Sequence, residues 1–224
     1  MGVTTATTAP DFRVLRTDVP RLDPAPGVTL TLLVLAGDGV CCSGVDLASG
    51  VLVRTWAPEP PERRLRPYDV VEVTVATEAQ GTPDPDAPEA LMLASAPEAI
   101  GRLRGRRVER LLRPLLHPRD APLLSSHGPA VAFWERRADH PSIAVAEPSG
   151  PVVLRRDANF LGCCFDWQDR TRELPCLDRR LAALMDRDGR RIMEAPRRSR
   201  LLVALTPPIG GHCHKVVEAV LPRP

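Results

Sequence analysis

Leu201–Pro222, LLVALTPPIGGHCHKVVEAVLP, holds two apolar runs separated by Pro207, Pro208, Gly210 and Gly211. Each run is short and rich in Leu and Val, and the Pro/Gly segment between them cannot continue a helix. The pattern predicts two strands, Leu201–Leu205 and Cys213–Leu221, joined by a turn and closing the fold.

The same reading extends backwards along the chain. Asn159–Trp167 and Arg172–Cys176 read as a hairpin around Gln168-Asp169-Arg170, after which Asp178 is placed to cap a short helix carrying Leu181, Leu184 and Met185. Leu30–Ala36 (LTLLVLA) is a buried strand ended by Gly37-Asp38-Gly39. Val51–Trp56 follows the Ser49-Gly50 turn as a second strand. In Tyr68–Ala76, Val71, Val73 and Val75 alternate with Glu72 and Thr74, as in a half-buried strand. Ile100, Leu103, Val108, Leu111, Leu112 and Leu115 recur at helical spacing, which predicts a helix over Pro97–Leu116 with Pro97 in its first turn. Gln80–Pro88 reads as a loop, and Ala130–Trp134 and Ile143–Ala146 as short strands.

Strands therefore dominate, and the helices do not alternate with every strand. The expectation is a mainly β protein of two consecutive small barrels, with short helices as minority content. The expected divisions are a flexible lead-in over 1–27, a first domain over 28–134 and a second over 135–224.

Composition bounds the function. Hydrophobic residues make up 43% of the 224 residues and charged ones 26%, which is globular rather than disordered. The 25 prolines favour short elements. The formal net charge is +2, so no polyanion partner follows from charge alone. Lys215 is the only lysine, and the other basic residues are arginine. No run reaches the roughly 18 apolar residues of a membrane span. The opening MGVTTATTAPDFRV has neither the cationic start nor the apolar core of a secretory signal. A cytoplasmic location is expected, with the six cysteines as free thiols.

Five segments taken in order carry a resemblance. Cys42–Trp56 (CSGVDLASGVLVRTW), Leu65–Val73 (LRPYDVVEV), Pro85–Leu91 (PDAPEAL), Phe165–Met185 and Leu201–Val220 resemble successive landmarks of the dual OB domain family. The match spans about residues 29 to 222. This chain has Leu52 and His214 where the family pattern carries Trp and Tyr. What the resemblance implies is two consecutive oligonucleotide/oligosaccharide-binding (OB-like) barrels and a role in binding or sensing nucleic acid, read here as non-catalytic binding of single-stranded DNA or RNA, with no catalytic residues and no cofactor. Arg54 falls on the family's strand arginine and Lys215 in its closing motif.

Together with Arg198 and Arg200, which precede the closing strand, these make the candidate nucleic-acid contacts. The competing reading of Arg54 is an intramolecular ion pair. Trp56, Tyr68, Phe133, Trp134, Phe160, Phe165 and Trp167 lie in apolar strands and are expected in the core.

Two other classes stay open. One is a protein-interaction module of a multi-component system. The other is a thiol or zinc enzyme using His212, Cys213 and His214 or the pairs Cys41-Cys42 and Cys163-Cys164. Adjacent strand residues point to opposite faces, and no Cys-x-x-Cys spacing occurs, so no metal site is expected. Asp84 and Asp86 are read as loop residues rather than a carboxylate pair.

Overall fold

The computed structural model describes residues 22–77, 87, 89–136, 140–158 and 160–224. Most of the expected Gln80–Pro88 loop, with Asp84 and Asp86, lies outside them, as do most of the lead-in and Asn159.

β1 (Thr29–Asp38), β2 (Cys41–Asp46), β3 (Leu52–Trp56) and β4 (Asp69–Thr74) carry the first half. β1 pairs antiparallel with both β2 and β4, and β2 pairs with β3, which gives the spatial order β4-β1-β2-β3 of a Greek key. β5 (Ala90–Met92) lies parallel to β3. Just beyond it, Leu93 bridges Val75, and the Ala94 N–H donates to the Thr74 carbonyl, so the curled sheet closes on itself. Gly44 permits the curl: a Cβ there would stand 2.7 Å from the Leu33 carbonyl oxygen, beside the β1 bulge between Val34 and Ala36.

The second half repeats the scheme. β9 (Val153–Arg156), β10 (Leu161–Trp167), β11 (Arg170–Pro175) and β12 (Ile192–Glu194) stand in the order β12-β9-β10-β11, again a Greek key. The final strand β14 (His212–Leu221) meets Cys176 in parallel, as β5 meets β3. Between β11 and β12 lies α2 (Arg179–Arg187), whose N-cap Asp178 accepts from the backbone N–H groups of Arg180 and Leu181, as expected of that aspartate. Gln168 and Asp169, at φ 52 and 57, make the hairpin turn.

β14 also belongs to a third sheet, ordered β7-β14-β13-β8, with β7 (Ala130–Ala132), β8 (Ile143–Ala146) and β13 (Arg200–Leu205). β13 is buried along its whole length. Leu201, Val203 and Leu205 enter the core of the second half, while Leu202 and Ala204 enter a core shared with Leu33, Leu35, Tyr68 and Val70 of the first. β1 divides the same way, with Leu32 and Val34 inside the first barrel and Leu33 and Leu35 in the shared core. A strand covered on both faces reads as an unbroken apolar run, which explains LTLLVLA and LLVAL. The fold is mainly β, with curled, barrel-like antiparallel sheets around three cores.

The helix expected over Pro97–Leu116 is corrected. Glu98–Arg102 is strand β6, paired with β4. Helix α1 covers only Arg106–Leu112, followed by a 3-10 turn at Arg113–Leu115. Gly105 sits at φ 57 as the N-cap of α1, a non-helical backbone state that keeps the helix from extending back towards β6. Ile100, counted in the apolar stripe, is 50% exposed. Ala130–Trp134 forms β7 only as far as Ala132, and Phe133–Glu135 turns away as a 3-10 segment. Among the described residues, no helix is long and apolar enough to cross a membrane.

Candidate nucleic-acid interface

Where the two halves meet, the ends of β1 to β3 and the Arg64–Pro67 segment face the start of α2 and one side of β14. The cleft between them holds about 550 Å³. Its floor is apolar, with Leu35, Cys42, Leu65 and Trp56. Six arginines line it (Arg54, Arg64, Arg66, Arg102, Arg179 and Arg180) against two carboxylates, Asp178 and Glu218.

Arg54 is held from the opposite wall. Its Nη1 donates to the Leu205 carbonyl at 3.1 Å and its Nη2 to Glu218 Oε1 at 2.8 Å. Its guanidinium carbon lies 5.3 Å from the Trp56 ring centroid. Ser43 Oγ donates to the other Glu218 oxygen at 2.7 Å. Alternation on β3 aims Arg54 at this wall, and the result is an ion pair joining the two halves.

Arg180 is similarly occupied. Its Nη2 donates to Asp178 Oδ2 and to the Val220 carbonyl, while the Val220 N–H donates back to Asp178. Arg102 donates to the Pro67 carbonyl and lies 3.6 Å from Asp69, which also pairs with Arg63. Arg64 and Arg66 are exposed, and among the described residues their side chains make no hydrogen bond or ion pair. Tyr68, at φ 74, donates its hydroxyl to the Pro222 carbonyl, and burial pushes its pKa up to about 12.

The four expected contact residues are dispersed. Arg54 lies in the cleft but is engaged internally. Arg198 and Arg200 share a different pocket, of about 310 Å³, with Arg119, Arg223, Glu109 and Glu147. Lys215 is 3% exposed on β14 and donates to the Ser126 carbonyl beside a cavity of about 190 Å³. Burial, and secondarily Arg172, lowers its pKa to about 8. The free arginines of the cleft come instead from Arg64-Leu65-Arg66, whose signal is a cationic pair flanking one buried leucine ahead of a strand.

The aromatic expectation holds for Tyr68, Phe165 and Trp167, which are buried. Trp56 is half-buried in the cleft. Phe133, Trp134 and Phe160 are exposed at 41%, 72% and 42%. His212 and His214 point outward on one face of β14, opposite Ala132 and Ala130. Among the described residues, no group of three His, Cys, Asp or Glu is disposed to hold a metal ion. Burial pushes the thiols of Cys42 and Cys176 up to about 12 and raises those of Cys163 and Cys164, which keeps them protonated at neutral pH.

The fold and cleft define a class: two Greek-key barrel-like halves with a shared core and an arginine-lined cleft at their junction. No protein-family model, curated protein or solved structure matches the chain.

Proposed function

We propose that this protein binds single-stranded nucleic acid without catalysing a reaction, through two OB-like barrels whose junction receives the sugar-phosphate backbone. The observation that carries the reading is the cleft itself, where Arg64 and Arg66 stand exposed and make no side-chain hydrogen bond or ion pair among the described residues, beside an apolar lining that includes Trp56. Phosphates suit the guanidinium rim and bases the apolar floor. The repeated four-strand Greek key, with a fifth strand parallel to the third, supports the OB-like assignment and the resemblance to the dual OB domain family. A cytoplasmic location belongs to the same proposal.

Fluorescence anisotropy with labelled oligothymidylate tests it. Each neutralised phosphate of a single strand contributes a slope of about −0.7 to log K against log salt. Engagement of about four phosphates predicts a slope near −3. Absence of binding to DNA and RNA at low salt refutes the proposal.

A second reading, a protein-docking module, rests on a separate surface. Trp134 stands edge-on to His212, 5.8 Å between ring centroids, and Ile209, bridged to His212 across the β13–β14 turn, is 62% exposed. Affinity capture from the native cell that depends on Trp134, with oligonucleotide binding absent, would favour it.

A further inference from the structure

The cleft does not end at α2. Arg180 lines both the cleft and a neighbouring groove of about 450 Å³, whose other walls include Leu181, Leu184, Pro196 and Pro222. Ser199 and Pro222 of that groove are the chain neighbours of Arg198, Arg200 and Arg223, which line the next pocket. Glu109 of that pocket in turn borders a shallow surface carrying Arg106, Arg110 and Arg113.

The charges in the Arg198 pocket do not cancel. Arg200 is 7% exposed; its Nη2 donates to Glu109 at 2.7 Å, and its Nε lies 3.7 Å from Glu147. Arg119 takes the other Glu147 oxygen at 2.8 Å. Both carboxylates are thereby used. Arg198 and Arg223 are exposed, and among the described residues their side chains make no hydrogen bond or ion pair. The buried Nη1 of Arg200 also has no partner. Arg198, at φ 62, lies in the Pro196–Ser199 turn that immediately precedes β13.

We infer that the Arg198–Arg223 pocket is a second phosphate-binding station, reached from the cleft along the Leu181–Pro222 groove, so that one single strand occupies both. This rests on the nucleic-acid reading of the cleft. The order of chemistry along this path suits a strand: guanidinium groups at each end for phosphates, and between them a trough lined largely by Leu181, Leu184, Pro196 and Pro222 for sugars and bases. Glu109 and Glu147 do not oppose it, because Arg200 and Arg119 already neutralise them.

The test compares labelled oligothymidylates of about 5 and about 15 nucleotides on the wild type and on the Arg198→Glu/Arg223→Glu double variant. The wild type is expected to bind the longer strand at least about tenfold more tightly than length statistics alone provide. The double variant is expected to lose that gain, to lower the long-strand salt slope by about 1.4, and to bind the short strand as before. Both side chains are exposed, and an unchanged melting temperature verifies the fold of the variant. Binding of the short strand with no gain from length, or a gain that the double variant keeps, overturns the second station alone. Failure of both strands to bind the wild type overturns the cleft reading and the path together. Equal loss of short- and long-strand binding in the double variant also overturns the path, since the two stations would then not be separate.

Discussion

Arg54 joins the two halves, and its removal has a calculable cost. In Arg54→Ala, Glu218 loses a charge-assisted bond of 2.8 Å and the Leu205 carbonyl loses its 3.1 Å donor, while Ser43 remains on Glu218. The paired side chains are only 13% and 14% exposed, so solvent replaces little of what is lost. A half-buried ion pair broken from one side costs about 3 kcal/mol. For a chain of this size that lowers the melting temperature by roughly 6–12 °C. Glu218→Ala is expected to cost a similar amount, and the double variant about 2 kcal/mol less than the sum, because the two side chains share one interaction. Urea unfolding of the four proteins measures the cycle. A cost for Arg54→Ala below about 0.5 kcal/mol, or additive single effects, would refute the tie and return Arg54 to the role of a free ligand contact.

Other consequences follow from buried groups. The Lys215 pKa falls from 10.5 to about 8 on burial, so between these values the unfolded chain binds the proton that the folded chain has released. The contribution of Lys215 to stability therefore rises with pH across that window, and its penalty is complete below it. Cys42 and Cys176 act oppositely above pH 9.0, since their folded thiols stay protonated to about 12 while the unfolded ones ionise. Wild type minus Lys215→Met isolates the lysine: unfolding midpoints should move in favour of the wild type from about pH 8 to about pH 10.5, and a flat difference contradicts the burial. Gly44→Ala sets a methyl group against the Leu33 carbonyl and is expected to cost about 1–3 kcal/mol, read by thermal unfolding. Iodoacetamide at neutral pH should leave Cys42, Cys163, Cys164 and Cys176 unlabelled in the native protein and label them in denaturant; native labelling of any one by mass spectrometry contradicts their raised pKa values.

Local signals read well where one element decides its own form. The Asp178 cap, the Gln168-Asp169 turn and the alternation of Tyr68–Ala76 are of this kind, because side chain and backbone settle them within a few residues. The Pro97–Leu116 stripe misleads because Leu103, Val108, Leu111 and Leu112 are indeed apolar for a reason, packing into the shared core, while Gly101 and Gly105 let the chain change form between β6 and α1. Tertiary pairing of Val70 with Gly101 outweighs helical periodicity there.

β2, β5, β9 and β12 give weak signals, being short or holding Gly44, Arg155 and Arg156 where an apolar pattern would mark a strand. The cleft is harder still to read. Arg64 and Arg180 lie more than a hundred positions apart in the chain, and nothing in either neighbourhood announces the other. Which arginines are free depends on carboxylates such as Glu218, Glu109 and Glu147, whose pairing is set entirely by long-range packing.

We propose that the free arginines of the cleft, Arg64 and Arg66, hold a nucleic-acid backbone. Charge reversal at Arg64→Glu/Arg66→Glu, measured by anisotropy with oligothymidylate over a salt series, bears on it most directly. The expected result is binding weakened at least about tenfold, a salt slope shallower by about 1.4, and an unchanged melting temperature, since neither side chain holds the fold together. Wild-type affinity and slope in the reversed variant would contradict it.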